Sequence, residues 1–98
     1  MISLKLFFGP AFSPVTKVTN DNLTFEKNEI ELQTLLEYFY EKYGEKFKEL
    51  VWDKKKKDQF HDQLVIIING RTYRDHDFLK TPLKDGDDVS FLYEYFGG

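Results

Sequence analysis

The chain has no cysteine. Disulfides, thiolate metal sites, iron–sulfur clusters and cysteine nucleophiles are therefore excluded, and any sulfur it handles cannot ride on a thiol of its own. Long apolar runs are missing as well; none reaches the roughly 18 residues that a bilayer-spanning helix needs. Nor is there a surplus of positive charge. The net charge is −3, so no general attraction to nucleic acid or to an anionic membrane is expected. The first residues, Met1-Ile2-Ser3-Leu4-Lys5, lack a signal-peptide layout and read as the start of a strand. A cytoplasmic location is the expectation. Phosphate loops, dinucleotide fingerprints, nucleophile triads and internal repeats are also absent from the sequence.

What remains suits one small folded domain. The 98 residues leave no room for two cores. Ten Phe and six Tyr stand in a chain that is 41% hydrophobic and 32% charged, enough apolar mass for a core and enough charge for a soluble surface.

The pattern along the chain alternates between two periods. Ile2, Leu4, Leu6 and Phe8 recur every second residue and predict a half-buried strand, stopped by Gly9-Pro10. A loop containing Ser13 and Pro14 leads toward a second strand within 15–27, centred on Leu23-Thr24-Phe25, with Asn20-Asp21-Asn22 expected as a turn. Leu32, Leu35, Leu36, Phe39, Tyr40 and Tyr43 follow at helical spacing. Asn28 is the expected cap with Glu31 in capping-box position, although Ile30 and Leu32 could instead end the preceding strand. Gly44 is the expected left-handed stop.

Phe47, Leu50 and Val51 suggest a short second helix, and Lys54–Lys57 with Asp58 a solvated loop. Leu64–Ile68 is a strand closed by the turn dipeptide Asn69-Gly70, with Arg71–Tyr73 a short return strand. Thr81–Asp87 is turn chemistry, and Val89–Tyr95 the last strand. Strand pair, helix, strand pair is the order of the β-grasp fold. The expected architecture is α+β, a mixed four- to five-stranded sheet packed on one main helix.

Leu83-Lys84-Asp85-Gly86-Asp87-Asp88-Val89, a final strand and the end Gly97-Gly98 resemble the ubiquitin-like sulfur carriers of molybdopterin and thiamin synthesis. Val65–Gly70 and Leu6–Pro10 fit the same pattern. The resemblance implies a single domain over 1–98 with a flexible tail at about 96–98, and a carrier rather than an enzyme. It implies a ubiquitin-activating-type adenylating enzyme as partner, which spends ATP to activate the Gly98 carboxylate. A sulfur donor then converts the carboxylate to a thiocarboxylate. The implied acceptor is a sulfur-accepting enzyme such as a molybdopterin synthase large subunit. No cofactor, metal, nucleic acid or membrane is implied for the carrier itself. Glycine suits positions 97 and 98 physically, because a chain without Cβ threads a narrow channel and leaves the carbonyl open. The preferred reading is the small subunit of a molybdopterin synthase; three others share these residues: a thiamin-type sulfur carrier, a protein modifier joined through Gly98 to lysines, and a β-grasp interaction module in which the diglycine is incidental.

A carrier needs a docking surface. Phe7 and Leu92 fall on the off-core parity of their strands, and Phe96 shares the parity of Leu92. Either Leu64, Ile66 and Ile68 or Val65 and Ile67 must join them. An apolar outer sheet face marks a protein-binding surface; the alternative is that segment 45–63 covers it as a second layer. His61 and His76, with Asp58, Asp62, Asp75 and Asp77, lack the spacing of a zinc or calcium site and read as solvated loops. Trp52 reads as a core edge. Asp87 and Asp88 are adjacent and point apart, so the Asp85-Gly86-Asp87 turn is expected to hold the last strand and to do no chemistry.

Overall fold

The computed structural model describes residues 1–53, 60–73 and 79–94. Strand β1 (Ile2–Phe8) buries every second residue as its alternation predicts. The chain then reverses through a one-turn helix, α1 (Ser13–Thr16), where a plain loop was expected. The Gly9 carbonyl accepts from the Phe12 and Ser13 amides, and Lys17 at φ 68° ends the turn. Because the reversal is complete by Lys17, Asn20-Asp21-Asn22 is not the expected turn. These residues open strand β2 (Asn20–Phe25), paired antiparallel with β1 from Phe7↔Asn20 to Ile2↔Phe25. A full backbone ladder outweighs the turn preference of three polar residues.

Ile30–Glu31 forms the two-residue strand β3 and runs straight into helix α2 (Leu32–Tyr43). The cap position is therefore Glu31, not Asn28, and no side chain caps the helix. The Leu32 amide instead donates to the Thr81 carbonyl at 2.9 Å. That contact belongs to a pairing the sequence does not announce: β3 lies antiparallel to β6 (Pro82–Leu83), inside the segment expected as turn only. Ile30 and Leu83 face each other across it and both are buried. Gly44 (φ 81°, ψ −163°) ends α2 and opens helix α3 (Glu45–Val51), a corner only glycine turns at low cost.

Helix α3 sends Phe47 and Val51 into the same core as α2. Trp52, at its end, donates its indole N–H to the Tyr40 hydroxyl at 2.9 Å and stacks on Phe60. It is a core edge, as expected. Strand β4 (Leu64–Ile68) turns through Asn69 (φ 51°) and Gly70 (φ 84°) into β5 (Arg71–Tyr73). Two successive positive φ values are the type I′ turn that Asn-Gly predicts.

The last strand, β7 (Asp88–Tyr93), inserts between β1 and β4. The five-stranded order is β2-β1-β7-β4-β5, with β1 and β7 parallel and every other pair antiparallel. This is the expected α+β β-grasp sheet, with α3 added beside the main helix. The core is aromatic at its centre: Phe39 lies 5.2 Å from Phe47 and 5.5 Å from Phe8, and Phe8 stacks on Phe91 at 5.7 Å. Edge-to-face and offset rings pack densely and add to simple area burial.

Candidate functional site

Three regions matter: the root of the C-terminal tail, the sheet face turned away from the helices, and the Asp85-Gly86-Asp87 turn. Gly97, Gly98 and Phe96 lie outside the described residues, so the tail is approached from its root. Strand β7 is paired up to its last residue, with Tyr93 opposite Leu64. One residue further, the Glu94 amide donates to the Gln63 carbonyl at 2.8 Å. The Tyr93 ring packs against Phe12 at 5.3 Å and stacks on His61 at 4.8 Å, and its hydroxyl donates to the Leu50 carbonyl.

The outer sheet face divides into two halves. Toward the start of β7 it is polar: Ser3 faces Thr24, and Lys5 lies between Asn22 and Asp88. Toward the end of β7 it is apolar. Phe7 sits level with Ser90, Ser90 with Ile67, and Leu92 with Val65. Phe7, Ile67 and Leu92 are half-buried, while Val65 is only 6% exposed. Leu64, Ile66 and Ile68 belong to the core. Of the two sets left open by parity, Val65 and Ile67 therefore join Phe7 and Leu92. The described part of segment 45–63 does not form a second layer over this face: Phe47 and Val51 enter the helix-side core, and His61 packs against Tyr93.

Sequence reasoning passed over Gly9 as part of this surface. The Gly9 amide donates to the Phe91 carbonyl at 2.9 Å. A Cβ there would meet Leu92 Cδ2 at 2.8 Å and the Phe91 oxygen at 3.3 Å. Glycine lets β1 close against β7 and leaves Leu92 in place. Its position beside Pro10, after a strand, reads only as a stop signal in sequence, which is why the packing role was missed.

The Asp85-Gly86-Asp87 turn lies at the opposite end of β7 from the tail. Asp85 Oδ1 accepts from the Ser3 amide, and the Gly86 amide donates to the Ser3 carbonyl, both at 2.8 Å. Asp87 accepts from the Lys84 amide at 2.8 Å and from Asn69 Nδ2 at 2.9 Å; Asn69 Oδ1 in turn accepts from the Asp88 amide at 2.9 Å. Two turns and the first strand are thus tied together, which fixes where β7 begins.

His61 Nδ1 accepts from the Gln63 amide at 3.4 Å, a local contact that shapes the turn into β4. His76, Asp58, Asp75, Asp77 and the lysines 54–57 lie outside the described residues. Among the described residues no group of three or more His, Asp or Glu side chains could hold a metal ion. No described helix is long and apolar enough to cross a membrane. Beside α2, Glu37, Tyr40, Lys48 and Trp52 line an open cleft. Burial pushes the Tyr40 phenol up to about 12, against the hydrogen bond from Trp52, and Glu37 adds to the rise. The phenol therefore stays protonated at neutral pH.

The family model of the ThiS family matches residues 8–98. No curated protein sequence matches the chain. Among solved structures, the Pyrococcus furiosus protein described as molybdopterin converting factor, subunit 1, superposes with a TM-score of 0.69 at 21% identity, covering 97% of this chain and 100% of that one. Small archaeal modifier protein 1 from Methanosarcina acetivorans gives a TM-score of 0.73 at 22% identity, covering 100% and 98%. The BexX/CysO complex of Amycolatopsis orientalis contains a chain with a TM-score of 0.69 at 16% identity, covering 97% and 99%. At these identities the structures establish a shared fold.

Proposed function

Because the chain belongs to the ThiS family of ubiquitin-like sulfur carriers, we propose that Gly98 is its working residue and that its carboxylate is loaded with sulfur as a thiocarboxylate. Members of this family are small carrier proteins rather than catalysts. The observation that carries the reading to this chain is the family match over residues 8–98, which includes the Gly97-Gly98 end.

The chemistry explains why a carrier without cysteine suffices. A carboxylate is a poor electrophile. An adenylating partner joins AMP from ATP to the Gly98 carboxylate and releases pyrophosphate. A persulfide sulfur then attacks the acyl carbon and AMP leaves; reduction of the remaining sulfur–sulfur bond by a thiol frees the thiocarboxylate. Glycine at 97 and 98 lets the tail enter both the activating and the accepting active site while the folded domain docks outside.

The docking surface in this proposal is the apolar half of the outer sheet face, with Phe7 and Leu92 as its centre, and Phe96, four residues after Leu92 in the chain, is proposed as a further contact. The position of this face at the end of β7 from which the tail leaves favours this assignment, since one partner can hold the face and the tail together. The finer proposal is the small subunit of a molybdopterin synthase, whose larger catalytic subunit accepts the sulfur. It is supported by the Leu83–Val89 pattern and by the fold shared with the Pyrococcus furiosus protein. A second reading, attachment of Gly98 to lysines, draws on the fold shared with the archaeal modifier protein.

Intact-protein mass spectrometry tests the carrier reading after incubation with a cognate adenylating enzyme, ATP and a sulfur donor. The expected result is replacement of one oxygen by sulfur, mapped to Gly98 and abolished by its deletion. No adenylate or thiocarboxylate with a demonstrably active enzyme would overturn it. Diglycine remnants on lysines in lysate peptides would favour the modifier. Retention of sulfur transfer to a pterin precursor only with an intact Leu92, and its loss in Leu92→Asp, would support the finer proposal.

A further inference from the structure

The role of the segment between α2 and β4 is not explained by the core alone. Phe47 and Val51 anchor α3, yet Leu50 in that helix and His61 and Gln63 after it reach past the core to the last two described residues of the chain. The Leu50 carbonyl accepts from the Tyr93 hydroxyl across a sequence separation of 43 residues. His61 is itself held by a hydrogen bond from its amide to the Val51 carbonyl at 2.8 Å, and stacks on the Tyr93 ring. Its carbonyl accepts from the Leu64 amide at 3.0 Å, and the Gln63 carbonyl takes the Glu94 amide at 2.8 Å. Two backbone carbonyls of this segment, Leu50 and Gln63, thus hold the end of β7, and the His61 ring stacks beside them.

We infer that α3 and the turn after it form a clamp on the root of the tail, with Tyr93 as the positioning residue that sets how much chain is free to reach a partner. The inference rests on the carrier reading of Gly98. With the clamp closed, Glu94 is the last described residue held to the sheet. Four residues remain beyond it, and fully extended they carry Gly98 at most about 14 Å from Glu94. Peeling Tyr93 and Glu94 off the sheet would add about 7 Å. The clamp therefore works as a ruler: partners whose active site lies within the shorter reach are served by the closed state, and deeper ones must capture a peeled minority.

A ruler makes a prediction that a merely stabilising contact does not. Tyr93→Phe keeps the ring against His61 and Phe12 and removes one hydrogen bond, which raises the peeled fraction about fivefold. Full-length Tyr93→Phe needs no peeling and should be adenylated with the kcat/KM of the unsubstituted chain. Deleting Tyr95 shortens the tail by one residue and should cost about tenfold or more in kcat/KM, while Tyr95→Gly, at unchanged length, should cost far less. Combining Tyr93→Phe with the Tyr95 deletion should recover about fivefold of that loss, because a conformer that must be selected has become commoner.

Hydrogen exchange provides the second arm. The Glu94 amide, opening locally, should exchange about fivefold faster in Tyr93→Phe than in the unsubstituted chain. Equal exchange at Glu94, or no recovery in the combined variant, would overturn the clamp. If the unsubstituted chain accepts no adenylate at all, the carrier reading fails instead, and the exchange comparison still decides whether the clamp exists.

Discussion

Phe47→Ala tests whether α3 is part of the domain's core or an appendage to it. The Phe47 side chain is fully buried and meets six other rings. Phe39 is nearest at 5.2 Å, with Phe12 and Tyr43 each at 5.6 Å, Phe91 at 6.0 Å, Tyr40 at 6.3 Å and Phe8 at 6.4 Å. Truncation removes the transfer energy of a buried ring and leaves a cavity whose walls belong to α2, β1, β7 and the turn at Phe12. Such walls cannot collapse without moving the sheet, so the cost should sit high in the usual range, at about 4–5 kcal/mol. A domain of this size has about 5–15 kcal/mol in total, so the variant folds at low temperature or sits near its limit. Phe47→Leu, which should cost about 1–1.5 kcal/mol, keeps the comparison measurable. Urea unfolding followed by tryptophan fluorescence reads both, because Trp52 lies at the end of the same helix. With a slope of about 1 kcal/mol/M, the alanine variant's midpoint should fall by about 4 M and the leucine variant's by about 1 M. Lys46→Ala, on the exposed side of α3, should stay within about 0.5 kcal/mol. A loss below about 1 kcal/mol for Phe47→Ala would refute the claim that α3 is docked in the core.

The other expectations are simpler. Gly9→Ala forces a new methyl against Leu92 and the Phe91 carbonyl; it should cost about 1–2 kcal/mol in urea unfolding and weaken partner binding by displacing Leu92. A variant as stable as the original with unchanged binding would remove Gly9 from the surface. Asp87→Ala strips the Lys84 amide and the Asn69 carboxamide of their acceptor and should cost about 1–2 kcal/mol, with faster hydrogen exchange at Asn69 and Asp88. Exchange unchanged at both amides would show that the turn holds without its carboxylate. Tyr40, raised chiefly by burial to about 12, contributes stability that is complete below the ordinary tyrosine pKa of about 10 and is lost as pH climbs through 12. Burial raises Tyr43 as well, so an ultraviolet phenolate titration should show a late-titrating fraction that loses one tyrosine in Tyr40→Phe; an unchanged late fraction in that variant would assign the step elsewhere.

Much of the fold was legible because its signals are local. The alternation of Ile2, Leu4, Leu6 and Phe8, the helical stripe from Leu32 to Phe39, and Asn69-Gly70 each report backbone geometry within a few residues. The pattern Leu83–Val89 and the diglycine were enough to point to the ubiquitin-like sulfur-carrier family, and the family match over residues 8–98 agrees.

What went unread depends on partners far away in the chain. Asn20–Asn22 reads as a turn until β1 lies beside it, and Pro82–Leu83 reads as a loop until Ile30 and Glu31 come across to pair. Which set of β4 residues faces outward is undetermined by parity alone, since both sets are apolar; only the packing of Ile66 against the aromatic core decided it. The same holds for Gly9 and for the root of the tail. A glycine after a strand and a tyrosine near the end carry no local mark of the Leu92 side chain or the Leu50 carbonyl they meet. Periodicity and turn chemistry are properties of neighbouring residues, so the sequence by itself determined the longer strands, the main helix, their order and the absence of thiol chemistry. Face, register and the hold on Tyr93 and Glu94 arise from long-range burial and pairing, and those only the tertiary structure decided.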